Sequence, residues 1–561
     1  MRILMGMMML GCLHLEAQVN KYDVLINEIM PDPSPTVGLP NTEYIELKNV
    51  SNKPINLLKW KISNGTGTAS INTGWVLQPD SLVIVCARTQ VNNFDTSLGI
   101  IGVTSFPALL NESGTITLFA PDGQTIHAMA YDAGMHDNLV KEAGGWSLEM
   151  ADPQQPCNPH NWFSSMDNKG GTPGRINSIS KSSVSVPAIM AIDCIAQNET
   201  SLLLMLNQGA DSISASLTAN YHISPLAGII TGAEAIPPFF NQVKITLQAA
   251  ILPDKIYTLT GKNIRHCSST KADSITTRTS MLTVPEKSDV LINELLFNPE
   301  SGGTDFVELV NVSNKVLNAK NLLLATQNNA GLTTAAFPAS TKDRNFFPGD
   351  HLVFTADSAY LSKKWQVNNY HIIKTMAMPS LPDNKGNVSV LTKQGTTIDA
   401  FNYDEQMHFP LLNNREGVSL ERISWISATN DPDNWHSASS ASGYGTPTRQ
   451  NSQHRTTDIN TAEINVLPAV ISPDNNGTDD ILGIHYQFNR NGNLLTCNLF
   501  NQQGVLLGKI INNALCGTSG ILHWNGSIGN KIVRKGVYIL LIDILSANGQ
   551  SRKIKKMIAV Q

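Results

Sequence analysis

Asp23-Val-Leu-Ile-Asn-Glu28-Ile returns later in the chain as Asp289-Val-Leu-Ile-Asn-Glu294-Leu. Reading outward, Tyr44-Ile-Glu46-Leu-Lys-Asn49-Val-Ser-Asn-Lys53 returns as Phe306-Val-Glu308-Leu-Val-Asn311-Val-Ser-Asn-Lys315. Leu82–Cys86 after Pro79 is echoed by His351–Thr355 after Pro348, and Tyr131-Asp132…Met135-His136 by Tyr403-Asp404…Met407-His408. Ser147-Leu-Glu149, Asn161-Trp162 and Gly171-Thr-Pro173 come back as Ser419-Leu-Glu421, Asn434-Trp435 and Gly445-Thr-Pro447. The order never changes and the offset drifts little. Such long-range self-similarity marks a duplicated domain, here over residues 19–180 and 286–452.

Each copy carries short runs of period-2 or fully apolar character at Val24–Ile29, Tyr44–Val50, Leu82–Cys86, Thr115–Phe119 and Ile126–Tyr131. Pro-Asp-Pro at 31–33, Ser-Asn-Lys at 51–53 and Pro-Asp-Gly at 121–123 supply turns between them. No ten-residue stretch keeps a capped 3.6-residue period. Strands at this spacing predict a β-sandwich in each copy.

Composition agrees. The 561 residues are 41% hydrophobic and only 15% charged, with 40 Gly, 28 Pro and a net charge of −5. Packed all-β cores with many turns fit these figures; coiled coils, helical bundles and multi-span membrane proteins do not. No strong basic field advertises nucleic acid, and no nucleic-acid partner is expected. Residues 1–17 read as a secretory signal: Arg2, an apolar Ile3–Leu13 and a cut after Ala17. A lipoprotein reading at Cys12 fits less well, because Met9 and Leu10 suit that box poorly. No later run is long enough to span a membrane as a helix.

The INE opening, the YIEL/FVEL strand with its N-V-S-N turn, and the closing S-L-E…N-W…G-T-P resemble the lamin tail domain in the form exported by Bacteroidetes-type bacteria. That resemblance implies an immunoglobulin-like sandwich used for tethering, with no catalytic residues to carry over. Residues 186–285 are similar to bacterial Ig-like modules of surface-layer proteins, with strands at Ser201–Leu206, Val243–Leu247 and Tyr257–Thr260. A polar linker over 453–464 leads to 465–561. There the Ser472-Pro-Asp-Asn-Asn-Gly477 loop, Trp524-Asn-Gly526 and Gly536-Val-Tyr538 resemble the C-terminal domains of gliding-motility and type IX-secreted proteins. Such a domain implies sorting to, or attachment at, outer-membrane machinery. Its basic Arg552, Lys553, Lys555 and Lys556 read as a charged strand edge that blocks aggregation.

Six cysteines follow the signal, two in each of three segments: Cys86 and Cys157, Cys194 and Cys267, Cys497 and Cys516. Fifteen pairings exist; the partition favours Cys86–Cys157, Cys194–Cys267 and Cys497–Cys516, with buried thiols as the alternative. Zinc fits less well, since no CxxC or Cys/His spacing occurs.

Candidate chemistry is sparse. Asp474, Asn476, Asp479 and Asp480 around Gly477 offer oxygen ligands for calcium, with no other cofactor expected, though an Asx-rich turn explains them as well. Glu28 with Glu46, and Glu294 with Glu308, could serve as acid and base; buried structural carboxylates are the commoner case. Asp132 with His136, and the equivalent His408, lack a third metal ligand and read as strand ends. Trp162 and Trp435 could stack on sugars, yet a lone Trp in a sandwich is more often core. No GxSxG, HExxH, Walker or Rossmann motif is present.

The sequence therefore predicts an all-β chain of four tandem immunoglobulin-like sandwiches behind a signal peptide. Its expected role is a non-catalytic secreted or cell-surface scaffold that adheres, tethers or binds an extracellular protein or glycan. The alternatives are an exported hydrolase or nuclease and a carbohydrate-binding surface protein.

Overall fold

The computed structural model describes residues 19–180, 187–225, 229–267, 272–328, 330–367, 373–375, 377–412, 414–455 and 463–561. Residues 1–17, expected to be a signal, and most of the 453–464 linker lie outside them. The chain divides into two compact units. One holds residues up to 251 with 257–279, the other 252–256 with 280–561.

In the first unit, copy one builds ten principal strands: β1 Val24–Met30, β2 Tyr44–Asn49, β3 Lys61–Ser63, β4 Thr68–Ser70, β5 Leu82–Ala87, β6 Ile100–Val103, β7 Ser113–Phe119, β8 Thr125–Asp132, β9 Leu148–Met150 and β10 Trp162–Ser164. They form a six-stranded sheet in the order β10-β9-β1-β2-β5-β6 and a four-stranded sheet β8-β7-β3-β4. Ile26, Ile45, Leu47, Val83 and Val85 from the first sheet pack on Ile62, Ile116, Leu118 and Ile126 from the second, which makes a sandwich. The outer face of the large sheet is covered too, with Met30, Tyr44, Ile84, Cys86 and Phe94 clustered there. Burial on both faces explains why these strands read as continuous apolar runs rather than alternating ones.

In the second unit, copy two builds β11 Val290–Leu296, β12 Phe306–Asn311, β13 Leu322–Gln327, β14 Thr333–Pro338, β15 His351–Thr355, β16 Ile373–Thr375, β17 Lys385–Thr392, β18 Thr397–Asp404, β19 Leu420–Arg422 and β20 Trp435–Ser437. The sheet orders are β16-β15-β12-β11-β19-β20 and β14-β13-β17-β18, the same topology strand for strand. Where copy one has a 3-10 turn at Arg88–Asn93, copy two has the helix Ser358–Lys364, which sets Leu361 and Trp365 on its outer face.

The expected strands of copy one appear within two residues of their predicted ends. The short β3, β4 and β6, too brief for a periodic signal, were not legible. Both copies also bulge at one place, between Ile26 and Glu28 and between Ile292 and Glu294. A bulge leaves a strand N–H without its ladder partner. Here the Ile26 N–H is taken by His127 Nδ1 of β8 at 2.9 Å, and the Ile292 N–H by Asp399 Oδ2 of β18 at 2.8 Å.

Each copy is followed in its own unit by a smaller β-module. In the first unit, four strands between Ala191 and Leu247 form one sheet, and Tyr221–Ser224, Tyr257–Arg265 and Ala272–Thr279 form another. In the second unit, Glu463–Leu467, Leu482–Gln487 and Ser519–Trp524 face a five-stranded sheet that includes Asn493–Asn501, Leu506–Cys516, Gly536–Leu545 and Ser551–Val560. The basic run Arg552–Lys556 pairs on one side only, with Leu540–Ile544 of the neighbouring strand, so it does lie on a sheet edge.

The cysteine pairing differs from expectation. The disulfide joins Cys157 of copy one to Cys267 of the following module, with Cα atoms 6.4 Å apart. Cys86–Cys157 and Cys194–Cys267 are thereby corrected: Cys86 lies in the apolar cluster beside Tyr44 and Phe94, and Cys194 is fully buried in its own strand. Burial pushes these thiols up to about 11 and about 12. Cys497–Cys516 is corrected as well. Cys516 stands opposite Asn493, four residues along the strand from Cys497, which is roughly 13 Å at the rise of a β-strand.

Candidate functional site

The polar residues that recur in both copies converge on the outer face of the large sheet. Register sets Glu149 of β9, Glu28 of β1 and Glu46 of β2 in one row across three strands. Glu421, Glu294 and Glu308 form the same row in copy two. All six are fully buried. The paired carboxylates read from the sequence are therefore real neighbours, and each pair has a third member that the reading missed. Its signal was present in the repeated Ser-Leu-Glu.

The row binds the segment that leaves the copy. Glu28 Oε1 accepts from Tyr44 Oη at 2.7 Å, Ser147 Oγ at 2.6 Å and the Thr172 N–H at 2.8 Å. Glu46 accepts from Asn27 Nδ2 at 2.8 Å and from the Gly174 N–H. Glu149 accepts from Ser178 Oγ at 2.8 Å and the Ile179 N–H at 3.2 Å. Copy two repeats this, with Thr446, Thr448, Ser452 and Gln453 donating to Glu294, Glu308 and Glu421. The glycine of the Gly-Thr-Pro motif is required by proximity, because a Cβ on Gly171 would lie 2.7 Å from Glu28 Oε1.

One hydroxyl bridges two carboxyls. Thr172 Oγ1 lies 3.2 Å from Glu28 Oε2 and 3.0 Å from Glu149 Oε1. A hydroxyl has one proton, so it serves both carboxyls either as a shared donor or with one carboxyl protonated and donating back to Oγ1. Thr446 bridges Glu294 and Glu421 at 3.0 and 2.8 Å in the same way. Burial, opposed by these hydrogen bonds, raises Glu28 and Glu421 to about 7; burial and the neighbouring Glu28 raise Glu46 to about 8. Glu294 is raised by burial and by Glu421 and Glu308. Such a row has the raised pKa of a general acid, but every acceptor meets the chain's own donors and no surface reaches it. Its chemistry is a protonated clasp.

Other candidates fall into place around it. His136 Nδ1 and His408 Nδ1 meet Ser164 Oγ and Ser437 Oγ at 2.8 and 2.9 Å, and burial, with nearby cations, holds them at about 4 and about 3. Trp162 and Trp435 are 7% and 3% exposed and belong to the cores; Trp435 stacks on Phe401 with centroids 3.8 Å apart. Asp474, Asn476, Asp479 and Asp480 do share one loop. Asp480 accepts from the Asn475 and Gly477 N–H groups at 2.7 Å each, and Asp474 from Asn476 at 3.1 Å, an Asx-turn network. Cys157, His266 and Cys267 place three ligand atoms within 4.8 Å of one another, but the two sulfurs are bonded together and are not thiolates.

Two concave sites among the described residues lie where a copy meets the next module of its own unit. The first, about 250 Å³, is walled by Met129, Met135 and Trp162 from copy one and by Gln208, Pro238 and Phe239 from the module. The second, about 620 Å³, is lined by Met407, Phe409, Trp435 and His436 with Arg455 and Arg490.

Residues 17–133 and 283–405 match the family model of the Lamin Tail Domain. The two Lamin Tail Domain matches stop short of β9 and β19, so the third glutamate and the Gly-Thr-Pro segment of each clasp lie beyond them. No curated protein matches the chain. Among solved structures, the chain is similar to the N-terminal part of the bacterial S-layer protein SbsC at 13% identity, covering 27% of this chain and 43% of that one, with a TM-score of 0.16. It is similar to latent PorU from Porphyromonas gingivalis at 11% identity, covering 72% and 35%, TM-score 0.15. It is also similar to a tetra-tandem repeat of a large adhesion protein at 10% identity, covering 96% and 99%, TM-score 0.12. Scores this low carry no functional inference. Among the described residues no helix is long and apolar enough to cross a membrane.

Proposed function

We propose that this chain is a non-catalytic scaffold of the cell surface or extracellular space. In this reading the Lamin Tail Domain copies and their attached modules act as rigid spacers, and the C-terminal domain attaches or sorts the chain at the outer membrane. The single observation that carries the reading is the clasp. The acids gathered in both copies, the natural candidates for a reaction centre, are buried and consumed in holding the chain's own tail.

A panel of nucleic acid, phosphoester and polysaccharide substrates tests it. The purified chain is expected to turn over none of them. Reproducible turnover would favour the exported-hydrolase reading, and its loss in Glu28→Gln or Glu294→Gln would place the reaction at the glutamate row. Deleting residues 465–561 is expected to shift the chain from the cell surface; unchanged retention would remove the attachment role.

A further inference from the structure

The outer face of the C-terminal five-stranded sheet has a make-up that a spacer does not need. Alternate side chains of its strands enter the core: Tyr538, Leu540, Ile542 and Ile544 from one strand, Leu495, Cys497 and Leu499 from its neighbour. The residues between them point the other way. Register sets Met557, Ile539, Phe500 and Leu506 opposite one another, one on each of four adjacent strands. The next row along is Lys555, Leu541, Asn498 and Lys509. Met557 is 71% exposed, Leu506 55%, and Val537, two residues from Ile539 on the same face, 47%. The solvated face of an antiparallel sheet is ordinarily polar, so an apolar row across four strands marks a contact surface. Copy two meets this domain at the other end of the strands, where Leu494 and Leu515 pack on Phe409. Phe500 lies six residues beyond Leu494, roughly 20 Å at the rise of a strand.

Charge tells what the face is built to meet. Residues 465–561 hold nine Lys and Arg against four Asp and Glu, in a chain whose net charge is −5. Three of the four acids sit in the loop 474–480, which crosses to the other sheet. The face itself carries Asp543, 3.7 Å from Lys553. Lys509, Lys553 and Lys555 flank the apolar row, and Arg534 and Lys535 are exposed just before Val537. A second copy fits poorly. The edge strand is paired on one side only up to Ile558. Two such edges joined antiparallel about Ile554 would set Lys553 against Lys555 and Arg552 against Lys556, and like charges directly opposite destabilise a sheet. A soluble polyanion would engage the cations and leave the apolar row in water. A bilayer with anionic lipids satisfies both, since apolar side chains enter its interfacial layer while Lys and Arg meet the phosphates.

We propose that this face binds the surface of an anionic lipid bilayer, with Met557, Ile539, Phe500, Leu506 and Val537 in the interfacial layer and the flanking cations on lipid phosphates. The proposal deepens, and rests on, the reading of the C-terminal domain as the attachment element.

Vesicle flotation of the full mature chain tests it, with phosphatidylcholine alone and with phosphatidylcholine containing about one-third phosphatidylglycerol. The chain is expected to float with the anionic vesicles, to bind the neutral ones at least about tenfold more weakly, and to release as salt rises above physiological strength. Lys553→Gln with Lys555→Gln should weaken binding at least about tenfold. Val537→Ser with Met557→Ser, both at exposed positions, should weaken it by a similar factor while the thermal transition stays in place. Lys244→Gln with Lys262→Gln, exposed on the module of the first unit, should change nothing. Equal binding to both vesicles, or none, overturns the proposal. Binding untouched by Val537→Ser with Met557→Ser overturns it in favour of a polyanion, and a wild-type dimer in sedimentation that these variants dissolve overturns it in favour of a second copy. Surface retention that is lost on deleting 465–561, with vesicle binding unmoved by either variant, removes the lipid contact and leaves attachment to another partner. Retention unchanged by the deletion strikes the attachment reading itself.

Discussion

Arg422 shows how the duplication diverged without breaking. It is 1% exposed, with its guanidinium 3.5 Å from Asp399 and hydrogen-bonded to Ile292 O, Ser424 O, Ser427 O and Thr429 Oγ1. Copy one has Met150 at that place and His127 where copy two has Asp399. Both partners changed together: a buried ion pair stands in one copy and two uncharged groups in the other. His127 must stay neutral, since Nδ1 accepts from Ile26 while Nε2 donates to the Pro156 carbonyl at 2.9 Å; burial holds it down to about 4. Removing one member of a buried ion pair costs about 3–5 kcal/mol because the other charge is stranded. Arg422→Met alone should lower copy-two stability by that order in urea unfolding. Arg422→Met with Asp399→His, which rebuilds the copy-one pair, should recover at least half of it. A double variant no better than the single would show that the two positions are not coupled. The departure at 150 and 422 was visible in the sequence; its partner was not, because the residues meet across the sandwich from strands of opposite sheets.

At the scale of elements, the clasp explains why Ser-Leu-Glu and Gly-Thr-Pro travel together. The first places a carboxylate on β9 or β19, and the second delivers an N–H and a hydroxyl to it. Thr172→Val removes the bridging hydroxyl and leaves Glu28 and Glu149 short of a partner, at a cost of about 1–3 kcal/mol. Hydrogen exchange should quicken over residues 172–180 and stay unchanged over 446–455, where the second clasp is intact. Equal protection in variant and wild type would mean that the tail is held by something else. The motifs were legible as repeats, but their contacts were not. A β-bulge at Asn27, which turns Asn27 toward Glu46 and Asn177, leaves no periodic signature in a strand already apolar on both faces.

At the scale of the whole molecule, the four-sandwich expectation and the strand positions were readable from turn spacing and repetition, whereas the disulfide was not. Partitioning cysteines by segment assumes that each bond stays inside one module, and Cys157–Cys267 crosses from one module to the next with 110 residues between its ends. In the chain-entropy account a loop of that size contributes about 4.7 kcal/mol, with less usually realised. Reductant, or Cys157→Ser with Cys267→Ser, should lower the melting temperature of the first unit and leave the second unit where it was. Cys86→Ser and Cys194→Ser should leave the reductant response unchanged. A response that persists in the Cys157/Cys267 double variant would refute the connectivity.

The clasps also set how stability follows pH. Glu28, Glu46 and Glu421 keep a proton in the folded chain to about pH 7 or 8, against an ordinary value of 4.5 when unfolded. Between those limits the folded chain holds more protons, so stability falls as pH rises and is fully present only on the acid side. Buried His127 and His408 and half-buried His136 act in the opposite sense, and only below their ordinary 6.5, where the unfolded chain takes up protons that the folded one refuses. Calorimetry of the wild type and of Glu28→Gln with Glu294→Gln, from pH 8 to pH 6.5, separates the carboxyl rows by difference from Asp305, raised to about 7 by burial, Lys21, lowered to about 8 by burial, and His351, raised by Glu308, which change in both proteins alike. Glutamine reproduces the protonated form, with its amide donating to Thr172 or Thr446. The wild-type melting temperature should rise by several degrees on this acidification, and the double variant should keep less than half of that rise. A wild-type transition that is flat or falls over this range, or a variant that follows the wild type throughout, would contradict the protonated clasp.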